Sequence, residues 1–345
     1  MSRRHFSENL TILVAKVETT PGTMETITTA DFNCKVFNPA ITVAVEPDDE
    51  GAKYANGNHS EDVSVMGVQS GTISFGIKLQ RADTDLATAP AWAKFAYGAG
   101  CAPVSYSGTG WGLQPLKSYD NKTLTVWVYK IETGITPKAV CFKYAGCMGT
   151  MAIAGEGTGK PIMLNFAFSG KLVDVDFDVA SASIPEVNNV DDTCYERLIG
   201  TAVSIDGYNR RVEAFSLDTG NTLSMIKDMG EDTGIENFEI SDRNPRFSVN
   251  PLMVGATGVV KDDYDYLFGS VTGCPTTPAV IVDMRNFYLD IPKAQLMTLT
   301  PGGRDGISHF DQVWKCVGNG YTGVVANAAL PYECTWELLQ GVRSV

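Results

Sequence analysis

The glycine-rich segment 155–161, GEGTGKP, is the stretch of this chain closest to a nucleotide-binding motif. A phosphate-binding P-loop needs a glycine five residues before its Gly-Lys pair, and a serine or threonine directly after the lysine to hold magnesium. Ala154 and Pro161 occupy those two positions here. Strand-forming residues lie on both sides, and no helix pattern follows that would direct an N-terminal dipole at a phosphate. The segment therefore predicts a β-turn.

The other candidates for catalysis or metal binding lack the partners that such sites need. Ser308, His309 and Asp311 are close in sequence, but adjacent side chains of a strand point to opposite faces, and no nucleophile elbow is present. Cys141 and Cys147 are six residues apart, without a second pair at zinc-site spacing. We therefore predict no catalytic residue, no metal site and no cofactor, and we expect that the protein is not an enzyme.

Aspartates alternate with apolar residues over 171–179, where Asp174, Asp176 and Asp178 alternate with valine and phenylalanine. A calcium site would need a tight loop with glycine and a bidentate glutamate. The alternation instead predicts a strand with one acidic and one apolar face.

A second acidic stretch, 46–62, has no apolar periodicity and is rich in turn-forming residues. It predicts a long exposed loop or hairpin tip within 46–68, and long ordered loops tend to carry function. The candidate contact residues of this loop are Glu46, Asp48, Asp49, Glu50, Lys53, Tyr54, Asn58, His59, Glu61 and Asp62.

The overall composition limits the class of protein. A chain of 345 residues suits two domains of ordinary size. Its net charge of −13 argues against a nucleic-acid-binding surface, which needs clustered lysine and arginine. The sequence contains no apolar run typical of a signal peptide or a transmembrane helix. We therefore expect the eight cysteines to be mostly reduced and buried.

Many short β patterns separated by turns predict a mainly β fold with one short helix in each half. Strands are predicted at 11–18, 36–45, 71–80, 122–131, 139–145, 148–154, 161–169, 171–179, 212–218, 222–227, 235–241, 246–250, 279–290, 293–299 and 307–316, with a further strand or an arm at 321–339. A hairpin is predicted about 219–221, and helices are predicted near 89–97 and 264–268. Asp263 and its acidic neighbours are expected to supply negative charge to the start of the second helix.

The two halves of the chain show similar patterns. Both 71–101 and 244–274 contain an alternating strand followed by an aromatic segment that ends at Gly-Cys. Ile73 corresponds to Phe247 at an offset of 174, and Cys101 to Cys274 at 173. The repeat predicts two tandem β-sandwich or barrel domains, at 1–180 and 196–345, joined by the polar linker 181–195.

Several segments resemble the major tail tube proteins of siphophages. The start, LTILVAKVETTPGT, is similar to a strand of the form LLAKIE that runs into a Thr-x-Gly-Thr turn. PAWAKFAYGAGC resembles the short helix of that family, and GTMAIAGEGTGKPIMLNFAFSGKLV resembles its glycine-rich hairpin. The stretch 212–251 is similar to the start of a second tube domain, including an Asp-Arg-x-Pro turn. The resemblance covers about residues 10 to 316.

This resemblance implies a structural virion protein without an active site. Such proteins form rings that stack into a hollow tail tube, through which DNA passes without specific binding. Two tandem domains imply a homotrimeric, pseudo-sixfold ring, with a hexameric ring as the alternative. The implied partners are further copies of the chain, the tape measure protein, and the tail-tip and terminator proteins. The resemblance implies no contact with a membrane. The implied location is the virion tail, after assembly in the host cytoplasm.

The resemblance also gives roles to the two acidic features. Asp174, Asp176 and Asp178 are candidates for lining the lumen, because carboxylates repel phosphates. The loop at 46–68 is a candidate for contacts between rings.

Two other functions stay open. One is a related virion component, such as a tail terminator or a capsid-decorating protein. The other is a carbohydrate-binding β-sandwich module in which Trp111, Trp127 or Trp314 would stack on sugars, although Trp127 and Trp314 lie in apolar strands typical of a core.

Overall fold

The structure is a computed structural model of the chain. It describes residues 6–48, 65–81, 88–106, 110–116, 122–134, 136–188, 195–253, 259–268, 277–318 and 335–340.

The described residues form a mainly β fold, as predicted. The first-half strands are β1 (Phe6–Val17), β2 (Phe37–Asp48), β3 (Val65–Lys78), β4 (Cys101–Tyr106), β5 (Gly110–Pro115), β6 (Leu124–Glu132), β7 (Ala139–Gly155) and β8 (Met163–Val179). The second-half strands are β9 (Ala202–Ile205), β10 (Tyr208–Arg210), β11 (Val212–Asp218), β12 (Asn221–Lys227), β13 (Ile235–Arg243), β14 (Arg246–Pro251), β15 (Val280–Asp283), β16 (Phe287–Ile291), β17 (Ala294–Arg304), β18 (Ile307–Cys316) and β19 (Glu337–Gln340). The α-helices are α1 (Ala93–Gly98) and α2 (Val259–Phe268).

The strands form two large antiparallel sheets and one separate hairpin. The larger sheet has the order β17-β18-β14-β11-β7-β8-β3-β2, and β6 and β1 extend it beside the first part of β7. The smaller sheet has the order β10-β9-β15-β16-β19-β5-β4. Strands β12 and β13 pair only with each other among the described strands.

Both large sheets contain strands from both halves of the sequence. Strand β7 pairs with β11, and β19, near the C-terminus, pairs with β5 from the first half. The largest hydrophobic cluster also contains residues of both halves. The predicted division into domains at 181–195 stays a prediction. Within that stretch Ile184 and Val187 pack on a smaller apolar cluster around Tyr129.

The core lies against one face of the larger sheet, because its strands alternate in polarity. On β3, Ile73, Phe75 and Ile77 are buried, whereas Thr72 and Ser74 are exposed. Helix α1 covers the buried face, and its Phe95 ring lies 4.9 Å from the Phe75 ring, centroid to centroid. Aromatic pairs in this geometry add stability beyond the apolar area they bury.

A buried carboxylate forms hydrogen bonds that connect the loop after β1 to the larger sheet. Glu18 is only 3% exposed and accepts hydrogen bonds from the backbone N–H groups of Gly22, at 2.8 Å, and Gly146, at 2.9 Å. The hydroxyls of Thr123 and Thr125 also donate to it. Gly146 has a φ of +62°, within an irregular stretch of β7, so a glycine suits this position.

Several local predictions were wrong. Strands β11 and β12 are not a hairpin, because β11 pairs with β7 and β14 while β12 pairs with β13. Thr219 instead donates its N–H to the carbonyl of Met151 at 3.0 Å, so the chain stays beside β7 after β11 instead of turning back on itself. The pairs of strands predicted at 139–154 and at 161–179 are single long strands with register shifts. Helix α1 begins at Ala93 rather than near residue 89.

Candidate functional site

The three predicted lumen residues lie on the exposed end of β8 and face lysines of the preceding strand and loop. Lys143 Nζ is 2.9 Å from Asp174 Oδ2 and 2.6 Å from Asp176 Oδ2, and Lys138 Nζ is 3.2 Å from Asp178 Oδ1. The hydrogen bond from Lys143 lowers the pKa of Asp174. Two lysines thus offset much of the charge of three carboxylates, which weakens the repulsion that this strip can exert on phosphate.

The predicted contact loop lies mostly outside the described residues. Asp48 is the last residue of β2, and Asp49, Glu50, Lys53, Tyr54, Asn58, His59, Glu61 and Asp62 are not described. Strands β2 and β3 pair antiparallel up to Asp48 and Val65, so the loop follows the end of this hairpin. Glu46 is half exposed and forms an ion pair with Lys227 at 2.9 Å, which joins β2 to the β12–β13 hairpin.

The glycine-rich segment forms the predicted turn, which joins β7 and β8. Lys160 donates its N–H to the carbonyl of Gly157 at 3.1 Å, and Gly159 has a φ of +87°. A positive φ favours glycine at that position. The lysine side chain is exposed.

The histidine and cysteine candidates lie in strands. His309 is nearly buried in β18, with Nε2 3.4 Å from Asp311 Oδ1, while Ser308 is exposed. Cys141 and Cys147 are free and buried, and burial raises the pKa of Cys141 to about 12. Within the described residues, no three His, Cys, Asp or Glu side chains are arranged to hold a metal ion.

Two of the three tryptophans considered for sugar stacking are buried. Trp111 is 1% exposed and Trp314 is fully buried, so neither ring presents a face to solvent. Trp127 is partly exposed, and Lys143 Nζ lies 5.2 Å from its ring centroid.

The larger sheet contains the same four-strand row twice. Along the sheet, the order β2-β3-β8-β7 is followed directly by β11-β14-β18-β17. The offset of 174 that relates Ile73 to Phe247 also relates Thr72 to Arg246, so the pair Thr42–Thr72 corresponds to the pair Asp218–Arg246. The pairs across β8–β7 and β18–β17 correspond in the same way, since Asn165–Ala152 matches Asp311–Thr300.

The two rows are joined by direct strand pairing, and at each end of the double row the outer edge pairs with no described strand, which we call a free edge. Ala152 of β7 lies opposite Asp218 of β11 at the join. At the ends of the double row, β2 has twelve residues and β17 eleven, and no described strand pairs with their outer edges. A free strand edge presents unpaired N–H and carbonyl groups that can bind another chain.

A pocket of about 370 Å³ lies at the end of the sheet where β3 finishes. Three arginines line it, Arg81, Arg197 and Arg285, together with Tyr195 and Glu196. Glu196 accepts a hydrogen bond from Asn286 Nδ2 at 2.6 Å. Burial raises the pKa of Glu196, and the positive charges of Arg81 and Arg285 act in the opposite direction.

Local structure positions these arginines, although they are distant in sequence. The segment 195–198 runs between the ends of β3 and β8, because Glu196 N–H donates to the carbonyl of Leu79 at 2.9 Å and Leu198 N–H donates to that of Lys160 at 3.0 Å. Arg285 lies in the turn between β15 and β16 with a φ of +71°. Its guanidinium packs against Gly200, where a β-carbon would lie only 2.9 Å from Arg285 Nη2. No sequence motif indicated this pocket, since each arginine belongs to a different segment.

Neither helix of the described residues is long and apolar enough to cross a membrane. Comparison with models of known protein families gives no match for this chain, and comparison with curated proteins gives none either.

Proposed function

We propose that this chain is a structural subunit of a virus tail tube, in which copies join into rings and the rings stack into a hollow tube for DNA. The observation that carries the proposal is the repeated four-strand row with a free edge at each end. A row that already joins its own repeat through strand pairing has the geometry to join the next copy in the same way.

The internal join predicts how two copies meet. Superposing the rows places Thr42 at the position of Asp218 and Thr300 at the position of Ala152. Asp218 and Ala152 are paired within the chain. In a ring, β17 of one copy would therefore pair antiparallel with β2 of the next, with Thr300 opposite Thr42. This pairing removes both free edges.

The tandem rows also favour a particular ring size. If each row belongs to one tail-tube-like domain, at 1–180 and 196–345, then three chains supply six rows, which gives a homotrimeric ring with pseudo-sixfold symmetry. Six chains per ring is the alternative. The linker 181–195 would join the two domains.

We assign the lumen to the face of the larger sheet that is turned away from the core. Where β3 pairs with the part of β8 before residue 171, the exposed side chains are small or uncharged, such as Thr72, Ser74 and Ala167. This part of the face offers few cations to hold phosphate, so DNA would slide along it, whereas β14 and β18 expose Arg246 and Lys315 beside Asp218. Asp174, Asp176 and Asp178 remain candidates for one end of this lining.

Negative-stain electron microscopy of the purified protein at rising concentration tests the proposal. Hollow tubes or stacked rings of uniform diameter are the expected result, and top views count the chains. Single closed rings that never stack would indicate a tail terminator. Subunits that stay dispersed at all concentrations, also with tail-tip proteins added as a template, would refute the tube function.

Two variants test the predicted surfaces. Deleting 48–60 should leave folded subunits that form no tubes, and normal tubes from this variant would refute the role of the loop. Replacing Asp174, Asp176 and Asp178 with lysine should slow DNA ejection from assembled particles. Unchanged ejection would place these residues outside the channel.

A further inference from the structure

We propose that the arginine pocket formed by Arg81, Arg197 and Arg285 is a docking site for the acidic segment 46–62 of a second copy, stacked head to tail. The inference rests on the proposed function, since it names the contact that would join one ring to the next.

The charges of the two surfaces are complementary. The described residues that line the pocket include three arginines and one carboxylate, Glu196, so their formal net charge is 3 − 1 = +2. The segment 46–62 contains six acidic residues and one lysine, a formal net charge of 1 − 6 = −5. Guanidinium groups bind carboxylates through paired, charge-assisted hydrogen bonds.

The two surfaces lie at opposite ends of the same strand. The acidic segment ends shortly before Val65, where β3 begins, and Arg81 follows Lys78, where β3 ends. A strand of this length spans roughly 45 Å at the usual rise per residue. The segment therefore cannot reach the pocket of its own chain. In a head-to-tail stack, however, the loop end of one copy faces the pocket end of the next.

The length of the segment suits this contact. Sixteen residues, 49–64, separate Asp48 from Val65. Each half of such a segment can extend at most roughly 27 Å from the strand ends. That reach exceeds the depth of a pocket of about 370 Å³, so the segment can enter the neighbouring copy.

Chemical cross-linking with a matched internal control tests the contact. Arg197→Lys and Arg285→Lys keep the positive charge and supply an amine that a carbodiimide couples to a carboxylate in contact with it. Mixing chains with light and heavy nitrogen distinguishes links between copies from links within one copy. Arg304→Lys is the positive control, because Arg304 forms an ion pair with Glu213 of the same chain.

We expect links from positions 197 and 285 to the segment 46–62 of a differently labelled chain, in tubes and not in dispersed subunits. The inference would be overturned, and the tube function left intact, if these amines in tubes couple only within their own chain. Such links could go to Glu196 or to the acidic residues of 82–87 and 189–194. If the unmodified chain never assembles, the proposed function fails, and the inference with it.

A charge reversal gives a second test of the same contact. Arg197→Glu should leave ring formation unchanged but raise the concentration needed for stacking by about tenfold or more, because like charges then meet at the interface. Arg211→Glu is the matched control, since Arg211 is also exposed but does not line the pocket. Equal stacking of these two variants would refute the docking site.

Discussion

The register predicted between neighbouring copies can be tested by a disulfide across the ring interface. The double variant Thr42→Cys and Thr300→Cys places one thiol on each free edge of the double row. Directly opposite residues of antiparallel strands have Cα atoms about 4.5–5.5 Å apart, and disulfides need about 4.4–6.8 Å. Both threonines are exposed, so the substitutions disturb no core contact.

Oxidation of assembled rings should link every chain to its two neighbours. A ring of three chains then gives one closed covalent species of about 3 × 37.2 = 112 kDa on a non-reducing gel. A ring of six would continue the series to about twice that mass. The same gel thus measures both the register and the number of chains.

The controls distinguish a link at the predicted register from links that form merely because two chains are close together. Each single variant should stay monomeric on the gel, which excludes links through the natural cysteines. The pair Thr42→Cys and Thr298→Cys is displaced by two residues, so its Cα separation of about 7–8 Å exceeds what a disulfide spans. Efficient linking of this displaced pair would refute the register taken from the β7–β11 join. Rings that form but show no link between positions 42 and 300 would refute it as well.

Three further predictions concern stability and reactivity. Glu18→Ala removes the carboxylate that accepts from four buried donors and should lower the free energy of unfolding by about 3 kcal/mol or more in denaturant titrations; a loss below about 1 kcal/mol would contradict the role of this carboxylate. Asp263→Ala leaves Arg210 charged and almost buried without its 3.0 Å partner, and should cost about 3–5 kcal/mol, whereas the double variant that also replaces Arg210 with methionine should recover part of it. Because burial raises the pKa of Cys141 to about 12, this thiol should resist iodoacetamide at pH 8 in the folded protein, and its rapid labelling without unfolding would contradict its burial.

A fourth prediction concerns pH. The pKa of Glu196 is raised in the folded state, so the folded protein binds this proton more tightly than the unfolded chain does. The resulting stability is present below the ordinary value of 4.5 and is lost as pH rises through the folded-state pKa. Glu196→Gln should therefore flatten the decline in unfolding free energy above pH 4.5, and an unchanged pH profile would show that this carboxyl does not contribute.

The sequence predicted the strand content well where one face of a strand is buried. The alternation over β3, with Ile73 and Phe75 inward and Thr72 and Ser74 outward, is a local pattern that packing preserves. Prediction from the sequence failed where tertiary contacts redirect the chain. Thr219 donates its N–H to the carbonyl of Met151 and accepts the Met151 N–H through its hydroxyl, so the turn-like sequence about it does not fold its flanking strands onto each other.

The candidate sites were predictable only as far as they are continuous in sequence. The acidic residues of β8 and the loop 46–68 are local runs of one charge, so the amino-acid sequence is enough to identify them. Their partners Lys143 and Lys227 come from other strands, so the ion pairs that neutralise them could not be predicted in the same way. The same reason explains why Asp263 was expected to supply charge at the start of a helix but lies inside α2, buried against Arg210.

The free edges of the larger sheet connect the fold to the proposed assembly. Long exposed edges invite uncontrolled association, and monomeric proteins usually shorten, charge or cover them. Strand β2 instead exposes Thr42, Val43 and Ala44 in its middle, none of them charged. Such an edge exposes an isolated subunit to aggregation, but it suits a subunit whose edge strand is always paired with another copy. Because the chain already shows one such pairing between its own halves, the proposed ring would repeat between copies the pairing that joins β7 and β11.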